Sequence, residues 1–412
     1  MTERQRLTYH GSEVVETRMY DLLAKIGDEA RRLEMSRAGD GLLLIGGYGR
    51  GEGGVERTEL GERPHNNLDL VLVTRKRQSN PVVRGWLERM DQSLASLRDE
   101  GEIGIDLSAL HWKHLSRTRG LLLGFDARHG HSVIVGQPDL LSRMSPYPVS
   151  CIAPTQIEEL VVNRGTLLII NRYALRRHAS IETLSPLGRL LAKHAMKAIV
   201  GYGDAWLYHR SMYHWSYVEK LRRMNEIAHV DSSFCRRYIQ AATFRLLPNY
   251  AALQGVIDRE WNASLLRDLA RTHAQFANQP FSPRSAAWTG ELDRRVRRDW
   301  SPTWTRPRRL AKQIARAARH LRTLPESVPS RMHWAGLGPR GWLRLAFPYV
   351  AYGLGTTLER ETIATVLGAA PEAAHDENAF DEAYLNLWSR FGDTNFRHVL
   401  TQHADSLTGA AS

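Results

Sequence analysis

The chain has 412 residues, of which 42% are hydrophobic and 24% charged, a composition typical of globular proteins. A chain of this length is expected to fold as two or three domains. Because no window holds the roughly 18 uncharged apolar residues that a bilayer-spanning helix needs, the sequence excludes a membrane-spanning protein. The net charge is +12, and the two cysteines, Cys151 and Cys235, lie far apart, outside any zinc-binding or disulfide pattern. We therefore expect a cytoplasmic protein without a membrane partner.

Short apolar runs near the N-terminus predict strands, and apolar residues spaced three or four positions apart predict helices between them. Strands are expected at residues 42–45, 68–73, 103–110 and 132–135, and helices at residues 12–35 and 81–97. Ser12 is a suitable N-cap for the first helix.

From about residue 154 the pattern changes to long segments with a 3.6-residue period, and strand patterns nearly disappear. Helices are expected at residues 157–177, 186–208 and 213–228. The sequence therefore predicts an α+β fold, in which a mixed β-sheet with flanking helices precedes a mainly helical region. We expect an α/β domain over residues 1–150, a helical bundle over residues 151–280 and a helical C-terminal region over residues 281–412.

The first expected strand runs into a glycine-rich loop, Gly46-Gly-Tyr-Gly-Arg-Gly-Glu-Gly-Gly54. Glycines let backbone N–H groups approach an anion closely, a following helix N-terminus favours negative charge, and Arg50 offers a guanidinium group. Taken alone, such a loop is equally consistent with a plain tight turn.

Polar side chains on the next two expected strands strengthen the functional interpretation. Asn67 and Asp69 lie two residues apart on one strand, so their side chains project from the same face. Asp106 lies on the following strand, where the apolar Ile105 and Leu107 would point the other way. Oxygen ligands of this kind suit Mg²⁺, although acidic residues at strand ends often simply face solvent.

The order of these motifs resembles the polymerase-β-type nucleotidyltransferase superfamily over roughly residues 40–136. The resemblance rests on the Gly-Gly-Tyr-Gly-Arg-Gly-Glu loop, the Asn67-Leu-Asp69 strand in place of Asp-x-Asp, and the third strand with Asp106. It implies transfer of a nucleoside monophosphate from a nucleoside triphosphate to an acceptor hydroxyl on a small molecule, a protein or RNA.

The same resemblance assigns roles to individual residues. Asp69 and Asp106 would bind the metal ion, Asp106 would also assist deprotonation of the acceptor, and Asn67 would be a weakened catalytic ligand. The triphosphate would be bound by the loop residues Gly46, Gly47, Tyr48, Gly49, Arg50 and Gly51.

Asn67 departs from the family pattern because it stands where the first metal-binding carboxylate is expected. A neutral amide oxygen can coordinate a metal ion but removes one negative charge from a site meant to hold two metal ions, which should weaken binding of the second Mg²⁺ ion most. Mn²⁺ is an alternative cofactor, since imidazole at His65 would suit it better. The alternative function is accordingly a catalytically inactive relative that binds a nucleotide or a partner.

The helical region holds further candidates for nucleotide binding. Lys193 and Lys197 are four residues apart, as are Tyr213 and Tyr217, so each pair would share a helix face. Nucleotidyltransferases of this type commonly use Lys, Ser and Tyr from a helical bundle to bind the triphosphate, which implies the same role for these residues and for Ser216. Ordinary amphipathic packing explains the spacing equally well.

Residues 284–322 contain twelve Lys or Arg against three acidic residues, with Trp288, Trp300 and Trp304 interleaved. Guanidinium groups can contact phosphates while indole rings stack on bases, so a nucleic-acid-binding protein is a second alternative function. A solvated cationic helix face, with the tryptophans in a core or an interface, is the structural alternative.

Overall fold

The computed structural model describes residues 5–77, 79–112, 121–141, 148–178, 181–227, 232–276, 288–300 and 307–392. The fold is α+β, as the sequence predicts, with a small mixed sheet of four strands near the N-terminus and mainly helices after it. Across these described ranges, no helix is both long enough and apolar enough to cross a lipid bilayer.

The strands of the described chain all lie before residue 137. They are β1 (Gly41–Ile45), β2 (Val55–Thr58), β3 (Gly61–Pro64), β4 (Leu68–Thr74), β5 (Ile105–His111) and β6 (Ser132–Gly136). The helices among and beyond them are α1 (Glu13–Arg32), α2 (Met35–Ala38), α3 (Gly46–Gly49), α4 (Pro81–Gly101), α5 (Leu122–His129), α6 (Pro154–Arg177), α7 (Pro186–His209), α8 (Tyr217–Glu226) and α9 (Ser232–Leu246). The helices of the C-terminal part are α10 (Arg259–Phe276), α11 (Leu292–Asp299), α12 (Pro307–Leu321), α13 (Arg331–Tyr352), α14 (Thr357–Val366) and α15 (Glu377–Phe391).

The four strands expected from the apolar runs are present, each within two residues of its predicted bounds. The β2–β3 hairpin was not predicted. Both strands have only four residues, and each carries two adjacent charged residues, so the sequence shows no apolar–polar alternation. The hairpin occupies the stretch between the glycine loop and β4.

The four-stranded sheet has the order β5-β4-β1-β6. Strand β1 is antiparallel to both β4 and β6, whereas β4 and β5 are parallel and joined through α4. Helix α4 begins where it does because Asn80 accepts a hydrogen bond from the Val82 amide (3.0 Å) and Pro81 occupies the first turn. Ser12 caps α1 in the same way, through the Val15 amide, as the sequence predicts.

Each face of the sheet packs in its own core. On one face, Leu42, Leu44 and Leu70 pack against α1 and α4, whose buried residues include Ile26 and Trp86. The opposite face carries Leu43, Ile45, Val71 and Val73, which pack with Ala127, Leu140 and Leu141. By strand alternation, Asp69 and Asp106 project from this second face, at the end of the sheet where β1 enters the glycine loop.

The chain divides into two compact units that differ from the three consecutive domains expected from the sequence. One unit comprises residues 1–157 and 207–249, and the other comprises residues 158–206 and 250–412. Helices α8 and α9 therefore belong to the same unit as the sheet. Helical periodicity alone cannot reveal this association, because it rests on contacts between segments far apart in sequence.

Helix α13 is the central element of the second unit and packs against α10, α11, α12, α14 and α15.

The second unit also contains a buried ion-pair network. The carboxylate of Asp381, on α15, accepts hydrogen bonds from Arg172 (2.9 Å) and Arg176 (3.1 Å), on α6. Asp381 is fully buried, so removing either arginine partner would leave its charge less compensated.

The glycine loop tolerates no side chain at Gly53, because a Cβ there would overlap the buried ring of Tyr48. We predict that Gly53→Ala lowers the free energy of unfolding by about 1–3 kcal/mol through overpacking. Gly85→Ala is the matched control. Gly85 lies inside α4 with only the flexible tip of Arg89 nearby, so the same substitution should stabilise the protein by about 0.5–1 kcal/mol. Urea denaturation of both variants tests the contrast, and equal midpoints would contradict it.

Candidate functional site

The two predicted metal-binding carboxylates lie side by side. Asp69 and Asp106 are register partners on the parallel strands β4 and β5, and both are partly buried. Neighbouring strands are about 4.8 Å apart, so side chains at paired positions on one face are adjacent. The exposed Asn67 completes the group, because its Nδ2 donates a hydrogen bond to Oδ2 of Asp106 (3.0 Å). The structure thus brings all three predicted residues together.

The glycine loop begins directly over Asp69. Gly46 has a φ of +74°, a left-handed conformation that glycine adopts readily, and a Cβ at this position would overlap the Asp69 carboxylate. Residues Gly46–Gly49 form the single turn α3. The amides of Arg50, Gly51 and Glu52 donate hydrogen bonds to carbonyl groups inside the loop, so they are not available to an anion. Within this part of the loop, an anion could be bound only by backbone amides that precede Arg50.

Tyr48, which was expected to bind nucleotide, is fully buried and shapes the loop from within. Its hydroxyl donates to the Gly54 carbonyl (2.9 Å) and accepts from the His65 amide (3.0 Å). Burial raises the pKa of Tyr48 above its ordinary value. Its contribution to a ligand site is therefore indirect, through the conformation of the loop.

The last part of the loop is joined to helix α8 through the carboxylate of Glu52. This buried carboxylate accepts hydrogen bonds from the hydroxyl of Ser216 and from the amide of Tyr217 (2.8 Å). Ser216 is the N-cap of α8, and its Oγ in turn accepts from the Glu219 amide (3.1 Å). A helix N-terminus favours negative charge, and in partly buried geometry this interaction contributes up to about 2 kcal/mol.

Glu52 also pairs with Arg50, whose side chain is only 5% exposed; Nε of Arg50 lies 3.3 Å from Oε2 of Glu52. The Arg50 guanidinium donates a further hydrogen bond to the Trp215 carbonyl (3.0 Å). The loop, the segment before α8 and the first turn of α8 are therefore held together by one buried acid–base pair.

Two tyrosine rings and three cations pack together beside this pair. Nζ of Lys220 lies 4.2 Å from the ring centroids of both Tyr213 and Tyr217. The guanidinium groups of Arg245 and Arg50 lie 4.5 Å and 5.1 Å from the Tyr217 centroid. Cations this close to an aromatic face are attracted by its quadrupole, more strongly when they are desolvated. We call these five residues the cation–tyrosine cluster: Arg50, Tyr213, Tyr217, Lys220 and Arg245.

Burial differs among the cations of the cluster and determines how they can act. Lys220 is 1% exposed, and the Tyr213 hydroxyl beside it donates to both oxygens of Asp126 (2.9 Å each). Arg245 is half-buried, its Nε has no hydrogen-bond partner, and within the described ranges it pairs with no carboxylate. A desolvated guanidinium without a carboxylate is suited to bind an anionic ligand.

Burial favours the neutral form of three histidines near the cluster. Desolvation lowers the pKa values of His129, His131 and His214 below the ordinary histidine value, with nearby arginines lowering them further. His129 and His214 both contact the ring of Trp215. The positive charge of the cluster therefore comes from its lysine and two arginines.

The sequence-predicted residues of the helical region are only partly brought together. Tyr213 precedes α8 rather than lying on it, so Tyr213 and Tyr217 do not share a helix face as expected; they face each other across Lys220. Ser216-x-x-Glu219 has the spacing of a helix N-terminus, and this signal would have placed the start of α8 correctly. Lys193 and Lys197, half-buried and exposed respectively, lie on the part of α7 that belongs to the second unit.

The roles of Glu52 and Arg245 were not predicted from the sequence. Glu52 stands at the end of the glycine signature, but its partners lie 164 and 165 residues later, where no local pattern points back to it. Arg245 lies near the end of α9 with no motif around it.

The oxygen donors near the loop are of the chemical type that Mg²⁺ prefers. Among the described residues, no group of three or more His, Cys, Asp or Glu is arranged to hold a metal. The donors at this site are the two carboxylates of Asp69 and Asp106 and the amide oxygen of Asn67. Mg²⁺ is commonly held by one or two carboxylates together with water and substrate phosphates, so this set suits one ion better than two.

No family model, curated protein or solved structure matches this chain. Its function is therefore inferred from the geometry of the site and the resemblance of its motifs.

We predict that Glu52→Gln destabilises the protein by about 3 kcal/mol, because it leaves the buried Arg50 charge uncompensated and removes the negative charge from the α8 N-terminus. Glu29→Gln is the control, since Glu29 pairs with Arg32 on the exposed side of α1 and should contribute at most about 0.5 kcal/mol. Thermal and urea denaturation give both values. Equal effects of the two substitutions would show that the Glu52 contacts are energetically unimportant.

Proposed function

We propose that this protein is a metal-dependent nucleotidyltransferase, which transfers a nucleoside monophosphate from a nucleoside triphosphate to an acceptor hydroxyl and releases pyrophosphate. The pairing of Asp69 with Asp106 beneath Gly46 carries the proposal, because it combines two carboxylates and a glycine loop in one place. The acceptor is a small molecule, a protein or RNA.

The oxygens of Asp69, Asp106 and Asn67 would hold Mg²⁺, or Mn²⁺ in its place. When bound, the ion would supply positive charge to the phosphates and to the charge that develops on the reacting oxygens. Asn67 has a second role in the chain itself, since its amide fixes the orientation of the Asp106 carboxylate.

The cation–tyrosine cluster would bind the triphosphate. Buried charges interact more strongly than exposed ones, and positioned cations supply much of the stabilisation in phosphoryl transfer. Arg245 supports this role most directly, because it is half-buried and pairs with no carboxylate among the described residues. Glu52 would hold the loop and the first turn of α8 together while the ligand binds.

Asp106 would receive the proton of the attacking hydroxyl on its carboxylate. A general base must lie within hydrogen-bond reach of that proton, and its orientation here is held by Asn67. We place the reaction in the cytoplasm, since Cys151 and Cys235 are both free thiols, as is usual in a reducing compartment.

We predict that Asp69→Asn lowers nucleotide-dependent pyrophosphate release by at least about 100-fold, because losing a metal ligand should exceed the 10–100-fold effect of losing an outer-shell partner. Asp40→Asn is the matched control. Asp40 precedes β1 at the end away from the glycine loop and pairs with the exposed Arg75. The activity of the Asp40→Asn variant should therefore equal that of the wild type. Release is measured with each nucleoside triphosphate, using Mg²⁺ and then Mn²⁺, in the presence of RNA, protein and polyol acceptors. Wild-type activity in Asp69→Asn would reject the site.

The second candidate function is a catalytically inactive relative that binds nucleotide or a partner. The hydrogen bond from Asn67 to Asp106 favours it, because the amide occupies a carboxylate oxygen that a metal would otherwise use.

The substitution Asn67→Asp separates the two functions. If the protein is a working transferase adapted to the amide, an additional carboxylate beside Asp106 should lower pyrophosphate release by like-charge repulsion. If the protein is an inactive relative, pyrophosphate release by the wild type should be undetectable. The same substitution should then restore a metal ligand and raise Mg²⁺-dependent release to at least about ten times the detection limit. Calorimetry with each nucleoside triphosphate reports in parallel whether the ligand binds.

A further inference from the structure

Helix α12 presents an unusual surface in the second unit. Its inward side is formed by the buried Ala317 with Leu310 and Leu321, and Leu324 continues this side after the helix ends. The exposed side contains cations but no acidic residue, since the sequence of the helix is Pro-Arg-Arg-Leu-Ala-Lys-Gln-Ile-Ala-Arg-Ala-Ala-Arg-His-Leu. We call its exposed cations with known side-chain placement the basic face: Lys312, Arg316, Arg319 and, in the turn after the helix, Arg322.

The spacing of the basic face places its charges in a row. Positions 312, 316 and 319 are separated by four and three residues, so they lie on one side of the helix. At 1.5 Å of rise per residue, the row extends over about 10 Å. Alanines at positions 311, 315 and 318 lie between the cations, and their small side chains leave the long ones accessible.

Among the described residues, the cations of the basic face differ from the neighbouring arginines in having no acidic partner. On α11, Arg294 pairs with Glu291, Arg297 with Asp293, and Arg298 with Asp299. In the part of the chain that the structure describes, no carboxylate pairs with the four cations of the basic face, and the exposed positive charge there is uncompensated. Burial lowers the pKa of His320 below its ordinary value, and the nearby Arg319 and Arg316 lower it further, which is consistent with this local excess of positive charge.

We propose that the basic face binds the phosphate backbone of a nucleic acid. Lysine and arginine rows on a surface neutralise phosphates and release condensed counterions, which supplies affinity without any reading of sequence. An anionic membrane is a poorer match, because a helix that lies in a lipid surface also needs a broad apolar face. Of the larger apolar side chains on the described part of α12, only Ile314 is substantially exposed, at 55%.

The two described tryptophans of this region, Trp288 and Trp300, are poorly placed to stack on bases. Trp288 is 1% exposed, and the indole of Trp300 packs against Gly336, where a Cβ would overlap it. Arg284 and Trp304 lie outside the described residues. The inferred contact is therefore with phosphates, and binding should depend weakly on base sequence. This inference is independent of the nucleotidyltransferase proposal, since it concerns residues of the second unit.

The experiment compares two triple variants of the full chain with the same change in net charge. Lys312→Gln, Arg316→Gln and Arg319→Gln together remove most of the basic face; glutamine is a good helix former, so the helix should persist. Arg294→Gln, Arg297→Gln and Arg298→Gln together form the control, because these arginines are already paired. Binding of a fluorescent 20-nucleotide single-stranded RNA and of a DNA duplex is measured by anisotropy from 0.05 to 0.3 M KCl.

The basic-face variant should bind about 100-fold more weakly at 0.1 M salt. The slope of log Kd against log salt should fall by about two for the single-stranded RNA and by nearly three for the DNA duplex, since three phosphate contacts are lost. The control should stay within a few-fold of the wild type, because the acidic partners of these three arginines already neutralise them. Equal weakening of nucleic-acid binding by both variants would overturn the proposal, because it would show that only the net charge of the protein matters. Binding of phosphatidylserine vesicles without binding of either nucleic acid would also overturn it. Circular dichroism confirms that each variant is folded.

Discussion

The carboxylate of Glu52 at the N-terminus of helix α8 is the contact on which the candidate site depends. It joins the glycine loop to a helix that begins 165 residues later, and it does so at a buried position. A buried carboxylate is costly unless it is paired and hydrogen-bonded, and Glu52 has Arg50, the Ser216 hydroxyl and the Tyr217 amide as partners. Through this contact the first turn of α8 brings Tyr217 and Lys220 to the loop.

The pair of carboxylates imposes a second constraint. Asp69 and Asp106 occupy paired positions on parallel strands, so their charges repel each other when no cation lies between them. The amide of Asn67 relieves part of this repulsion by donating a hydrogen bond to Asp106. A third carboxylate at this position would instead increase the repulsion. The chain is therefore better suited than an Asp-x-Asp sequence to persist without metal, and less suited to hold two metal ions.

Much of the fold was predictable, because its strands are short apolar runs and its helices have regular apolar spacing. The positions of Asn67, Asp69 and Asp106 on one face also follow from strand alternation. Contacts between distant segments were not predictable: nothing near Glu52 indicates that its partners are Ser216 and Tyr217. Tyr48 illustrates a different limit, since a tyrosine between glycines in a loop looks exposed, yet the fold closes over it. Both limits arise because burial is decided by the whole fold rather than by neighbouring residues.

In the proposed function, the carboxylate pair and the cation–tyrosine cluster would form a single site for a metal-bound nucleoside triphosphate. This arrangement is tested most directly by crystals grown with Mn²⁺ and a non-hydrolysable nucleoside triphosphate analogue, measured at a wavelength that reveals manganese through its anomalous scattering. We expect an anomalous peak coordinated by Asp69 and Asp106, with analogue phosphates contacting Arg245, the half-buried cation of the cluster. Bound analogue and manganese located away from these residues would contradict it.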